Sequence, residues 1–269
     1  MAFSKEALDF LMENKLRDSK EWFREHRKDY DRLVLDPMRQ LVLELQPGVW
    51  KLDDSLIAEP KVGRSISRIY RDTRFTKDKS TFRDVCWCVF LREKKLYQGP
   101  PAFYFEFSPR FVRWGCGYYR ASPRDMDTLR GLILRQDPDF YKADKAVGKN
   151  GYFLLEGDRY KRSKFPQAQG REKLWLDQKN VAVAHTCSPE EAEILFSPQL
   201  AQKLEKDFKK LQPVYDFFRK VQTLSFEQTQ QEDTPLPKAP RQPRRKVRPL
   251  LLWRRRQSPS RSWQHHGWY

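Results

Sequence analysis

The sequence predicts an α+β fold: a single domain with a central antiparallel sheet flanked by N- and C-terminal helices, followed by a disordered basic tail. Three observations predict it. Apolar residues recur at helical spacing in the first fifty residues and again in the last third of the body. Between those stretches, aromatic residues alternate at the two-residue period of a strand. After Phe226 the composition turns abruptly to Gln, Pro and Arg.

The N-terminal elements come first. Leu8, Leu11 and Met12 fall at helical spacing, and Asn14 to Asp18 forms a polar break. Ser19 is placed to cap a second helix, whose apolar positions Trp22, Phe23, Tyr30, Leu33 and Val34 lie near one face. Pro37 is expected to interrupt that helix, Met38 to Leu45 to continue it, and Pro47-Gly48 to end it.

The middle reads as β structure. Val85 to Leu91 is a short strand, apolar on both faces. Phe103, Phe105 and Phe107 alternate with Tyr104 and Glu106, the pattern of a half-buried strand. Ser108-Pro109-Arg110 makes a turn and Phe111 to Gly117 returns, so 102–117 is an antiparallel hairpin. Gly115 and Gly117 flank Cys116, which implies a bulge or a close backbone approach. Tyr152 to Leu155 and Val181 to Ala184 are further strand candidates, and Gly157-Asp158-Arg159 reads as a turn.

Helices return at the end. Ser122-Pro123, Ser188-Pro189 and Ser197-Pro198 each set a capping Ser before a Pro suited to a first helical turn. Ser188-Pro189-Glu190-Glu191 also fits a capping box. The last helix is expected from Pro198 to about Leu224. The domain therefore spans 1–226 and the Pro/Arg-rich tail 227–269.

Composition limits the partners. Aromatics make up 14% of the chain, enough large side chains to build a core despite a mean hydropathy of -0.86. The formal charge is +17. From Glu227 onward there are ten Lys/Arg and three Asp/Glu, a net +7, which leaves +10 for the body. Such a field attracts nucleic acid, anionic headgroups or phosphorylated metabolites. Cys86, Cys88, Cys116 and Cys187 sit among apolar neighbours, and Cys86 and Cys88 share one strand face. They are expected to be buried reduced thiols. No CxxC pair exists and the four His are scattered, so no metal site and no cofactor are expected. The N-terminus lacks a signal pattern and no run of 18 apolar residues occurs. A cytoplasmic location is expected, with nuclear import through the basic tail as the alternative.

The densest polar cluster runs from Arg64 to Arg83. Its candidate ligand-binding residues are Arg68, Arg71, Asp72, Arg74, Lys77, Asp78 and Lys79. In an extended segment Arg68, Tyr70, Asp72 and Arg74 share one face and Ile69, Arg71 and Thr73 the other. Tyr70 and Phe75 can anchor the loop to the core. Three readings follow. Arg-Asp pairs can tie a long loop to the helices. The guanidinium and ammonium groups can bind a phosphate-containing anion. An enzyme acting on a phosphorylated or sugar substrate can use Asp72 and Asp78 as base or metal ligand with Lys79 as helper. Body charge and tail together also fit association with nucleic acid. Trp22, His26 and Tyr30, one helical turn apart, read as an aromatic helix packing into a core. His185 beside Thr186 and Cys187 resembles half of a Cys/His pair without an orienting base.

The residues Asn14…Glu21-Trp22-Phe23…Tyr30…Pro37, followed by Arg68-Ile69-Tyr70-Arg71-Asp72-Thr73-Arg74-Phe75-Thr76-Lys77-Asp78-Lys79, resemble the DUF2461 family of uncharacterised conserved proteins. Cys116-Gly117-Tyr118, Leu129-Arg130, Leu155-Glu156-Gly157-Asp158 and Lys161-Arg162 continue the likeness across the body and stop before the tail. The resemblance implies a single α+β domain and carries no catalytic residue with it. Ser80-Thr81-Phe82-Arg83 and Asn14-Lys15-Leu16-Arg17 depart from the family pattern.

Overall fold

A computed structural model describes residues 3–74, 77–93, 99–148 and 150–233, with side chains placed to 228. The chain divides into the units Met1–Glu232 and Asp233–Tyr269. The tail beyond 233 and the expected anchor Phe75 lie outside the described residues.

Helices lead. α1 (Lys5–Arg17) ends where Asp18 takes a left-handed conformation, φ 45°. Ser19 caps α2 (Lys20–Glu25) by accepting from the Trp22 amide at 3.2 Å. A short α3 (Arg27–Tyr30) passes through a π turn at Asp31–Leu35 into α4 (Asp36–Leu52). The π turn that ends at Leu35 is the interruption expected at Pro37, which sits in the first turn of α4, and the helix then continues as expected. One expectation is corrected here. Pro47 and Gly48 do not end the helix. Leu45, Gly48 and Val49 are all buried, so burial of this face outweighs the local helix-breaking tendency of the pair.

The sheet has five strands in the order β1-β2-β3-β5-β4, every pair antiparallel. β1 is Cys86–Leu91, β2 Ala102–Ser108 and β3 Phe111–Gly117, and β2 and β3 form the expected hairpin. α5 (Pro123–Leu134) follows, capped by a full Ser122/Asp125 box, then α6 (Pro138–Val147). β4 (Leu154–Glu156), α7 (Gly170–Leu176) and β5 (Ala182–Thr186) complete the sheet. Ser188 and Glu191 make the reciprocal bonds of the predicted box, but they open a 3-10 turn, Glu191–Phe196. The last helix, α8 (Leu200–Asp233), continues past Phe226, where the composition changes.

Strand periodicity sorts the sheet into two faces. Cys86, Cys88, Phe90, Phe103, Phe105, Phe107, Trp114 and Cys116 are buried. On that side Phe103 meets Phe208 and Tyr215 of α8 at ring separations of 5.2 and 4.8 Å. The other side carries the half-buried Trp87, Val89, Tyr104, Glu106 and Arg113. α8 is buried on a second side as well, where Phe217 and Phe218 pack against Phe140 of α6 and Trp175 of α7. A helix clasped on two sides by apolar groups is the backbone of a core. Among the described residues no helix is long and apolar enough to cross a membrane.

Candidate functional site

The arginine-rich segment is a ribbon fixed along β1. Ser67 exchanges backbone bonds with Trp87, at 2.9 Å from its own amide and 3.1 Å into its hydroxyl, and the Val89 amide donates to the Ser65 carbonyl at 2.8 Å. The chain then doubles back. The Arg83 amide donates to Ile69 and the Arg71 amide to Thr81, with Tyr70 opposite Phe82. The alternation expected from sequence holds: Arg68, Tyr70, Asp72 and Arg74 are exposed, while Ile69, Arg71 and Thr73 are more buried. Tyr70, although exposed, still packs its ring 4.9 Å from Phe82 and 5.6 Å from Phe23.

Helix α1 supports the ribbon from below its turn. The left-handed backbone of Asp18 presents its carboxylate to the amides of Thr81 and Phe82 at 2.7 and 3.0 Å. Asp is one of the few residues that enters this conformation at low cost. Lys15 donates to the Ser80 hydroxyl and to the Phe82 carbonyl. Neither Lys15 nor Asp18 was among the expected site residues. Their link to Ser80–Phe82 spans more than sixty residues, a separation that local pattern does not reveal.

Most of the expected ligand-binding groups are engaged with one another. Arg74 grips Asp72 with Nε at 2.9 Å and Nη2 at 2.7 Å, and this guanidinium holds the Asp72 carboxyl down to about 2. Arg71 Nη1 lies 3.0 Å from Asp78 Oδ2. Asp78 also accepts from the Ser80 amide at 2.9 Å, and the amide and hydroxyl of Ser80 lower its pKa before the more distant Arg71 and Lys15 charges do. Lys79 Nζ donates to the Thr73 carbonyl at 2.8 Å. Arg68 and Lys77 are exposed.

Two features of this ribbon are not closed. Arg71 Nε is buried with no acceptor among the described residues. Arg83 sits over the Trp87 ring at 4.8 Å and donates to the Tyr70 carbonyl at 3.2 Å. Burial, and then repulsion from Arg71, lower its pKa from the ordinary guanidinium value. Arg71 and Arg83 are therefore neighbouring cations. Arg83 belongs to the charge cluster seen in the sequence, but only strand pairing puts it beside Arg71.

A second polar cluster lies behind β3 and β5. Asp207 of α8 is fully buried and accepts from Trp114 Nε1 at 3.1 Å, from Lys210 at 2.8 Å and from the Tyr152 hydroxyl. Lys203 stands 3.2 Å from the same carboxylate and donates to the Tyr152 hydroxyl at 2.6 Å. Burial pushes the Asp207 carboxyl up, yet its donors together bring it below the usual range. An open cleft of about 560 Å3 borders this cluster, lined by Val147, Gly148, Asn150, Tyr152, Phe153 and Lys210 among others. Sequence reading missed it because its members come from three separate stretches of chain, around Trp114, Tyr152 and 203–210.

A family model described as "Conserved hypothetical protein (DUF2461)" matches residues 6–217, from α1 into α8 and through the whole ribbon. No curated protein matches the chain.

Proposed function

The chain belongs to the DUF2461 family, and from that premise we propose that it binds an anionic, phosphate-containing small molecule at the arginine ribbon, with Arg71 and Arg83 at the centre. The carrying observation is the buried Arg71 Nε, which meets no acceptor among the described residues, next to a second guanidinium. Buried donors are nearly always satisfied, and paired guanidiniums match the several oxygens of a phosphate. Arg68 and Lys77, both exposed, add to the attracting field. Arg74 contributes less, because Asp72 already occupies its fork.

An enzyme using Asp72, Asp78 and Lys79 draws less support. Both carboxyls are held below their usual range, so at neutral pH they are ionised and weak as bases. Nucleic-acid association rests on the overall charge of +17 alone. DNA affinity that falls steeply with salt and vanishes without residues 227–269 would favour it.

Calorimetric titration with inorganic pyrophosphate at low ionic strength tests the proposal. Arg71→Ala is expected to weaken binding by about 10- to 100-fold, the worth of a charge-assisted hydrogen bond. Arg74→Ala is expected to weaken it by less than about threefold, since its guanidinium is already engaged. A folded Arg71→Ala/Arg83→Ala protein that binds pyrophosphate like the wild type removes the proposal.

A further inference from the structure

Three metal-ligating side chains converge at the end of β5, away from the ribbon. His185 lies in the strand, Cys187 follows two residues later, and Glu191 opens the 3-10 turn. Their ligating atoms all lie within 4.8 Å of one another.

The histidine decides how this cluster reads. His185 is 5% exposed, and its Nδ1 lies 2.9 Å from the Tyr152 carbonyl oxygen. A carbonyl only accepts, so Nδ1 carries a proton. In a neutral imidazole Nε2 then presents a lone pair, and it faces Glu191 Oε2 at 3.4 Å. Two acceptors then face each other, an arrangement that a proton on Nε2 or a cation bound between them satisfies. The Tyr152 ring, stacked on the imidazole at 4.0 Å, fixes the ring plane. An imidazole that donates one nitrogen to a carbonyl and turns the other toward a carboxylate has the arrangement of a metal ligand.

We propose that His185 Nε2, Cys187 Sγ and Glu191 Oε2 form a site for a borderline-soft divalent cation of the zinc type. Nitrogen, sulfur and oxygen donors suit that ion, and three protein ligands leave a fourth tetrahedral position for water. Tetrahedral coordination puts ligand atoms about 3.4–3.7 Å apart. The His185–Glu191 separation already fits. The other separations are no more than 4.8 Å, and the side chains of half-buried Cys187 and exposed Glu191 have room to turn and close them. Binding converts the Cys187 thiol to a thiolate and releases its proton to solvent. Lys203 is the nearby cation that opposes the ion, and its charge is already met by Asp207 at 3.2 Å. Chain spacing hides the site, because its ligands are separated by one and three residues and form no CxxC pair.

Cobalt(II) is the probe, added to the full chain without a polyhistidine tag. The expected result is one equivalent bound, with a thiolate-to-cobalt charge-transfer band in the near ultraviolet that zinc displaces. Cys187→Ser is expected to abolish the band, and Glu191→Gln to weaken binding at least about tenfold. Both are conservative changes at sites that are not fully buried, and matched circular dichroism shows that each variant is folded. His265→Asn/His266→Asn, in the tail, is expected to leave the titration unchanged. Absence of the band in the wild type, its survival in Cys187→Ser, or unchanged affinity in Glu191→Gln overturns the proposal and leaves His185 and Glu191 as a proton-shared pair.

Discussion

Replacing Asp53 with alanine is expected to destabilise the domain by about 3–5 kcal/mol, the cost of breaking a buried ion pair from one side. Asp53 sits at the C-terminal end of α4 with its side chain 2% exposed. Arg92, just past β1, grips it through Nε at 2.7 Å and Nη2 at 2.8 Å. The buried hydroxyl of Tyr215 on α8 donates to the same carboxylate, and Arg219 lies 3.5 Å away. One carboxylate therefore joins α4, the sheet edge and α8. Without it Arg92 loses its partner and the Tyr215 hydroxyl loses its acceptor. Urea unfolding of Asp53→Ala measures the loss. Asp53→Leu/Arg92→Met/Tyr215→Phe, which removes both charges and the hydroxyl left without an acceptor, is expected to recover most of it.

The same carboxylate predicts the pH profile. Burial raises the Asp53 pKa, but the bonds from Arg92, Tyr215 and the Ser55 amide lower it further, so the net shift is downward. A depressed folded value means the unfolded chain binds the proton more readily. The stabilisation is thus complete above the unfolded value, about 4, and disappears as pH falls through the folded one. Asp207 acts in the same direction, while Asp216, whose pKa burial raises, acts in the opposite one. Stability measured by urea midpoint is expected to fall below about pH 4, and less steeply in Asp53→Asn than in the wild type. Equal slopes would contradict this assignment.

Gly117→Ala is the second large effect, a loss of about 3 kcal/mol. Gly117 pairs with Ala182 across β3 and β5. A Cβ there would stand 2.4 Å from both the Cα and Cβ of Ala182. Those atoms belong to a strand backbone and cannot swing away, so the two strands must part. The backbone of Gly117 is ordinary for a strand, which makes space the cause rather than strain. Gly131→Ala in α5 is the control. Its nearest neighbour is the flexible end of Arg135 at 3.7 Å, so the gain in helix propensity dominates and the protein is expected to become about 0.5–1 kcal/mol more stable. Thermal unfolding of the two variants should shift in opposite directions.

These glycines show how far local pattern reaches. Gly115 and Gly117 signalled either a bulge or a close approach, and the regular register from Phe111 to Gly117 selects the close approach. Likewise Pro47-Gly48 signalled a helix end that tertiary burial overrides. The ribbon was legible as a charge cluster. Its pairing was not, because Arg71 meets Asp78 through a turn, and Arg83 reaches Arg71 only when the chain doubles back.

By itself the sequence determined the α+β class, the 102–117 hairpin, the helix caps at Ser19 and Ser122 and membership in the family. Each of these rests on contacts between residues near in the chain, where spacing fixes geometry. The tertiary structure alone decided which arginines lie together, that Asp18 and Lys15 hold the ribbon, and that Tyr152 stacks on His185. Those arrangements depend on strand pairing and helix docking over scores of residues, and such distances leave no period in the sequence.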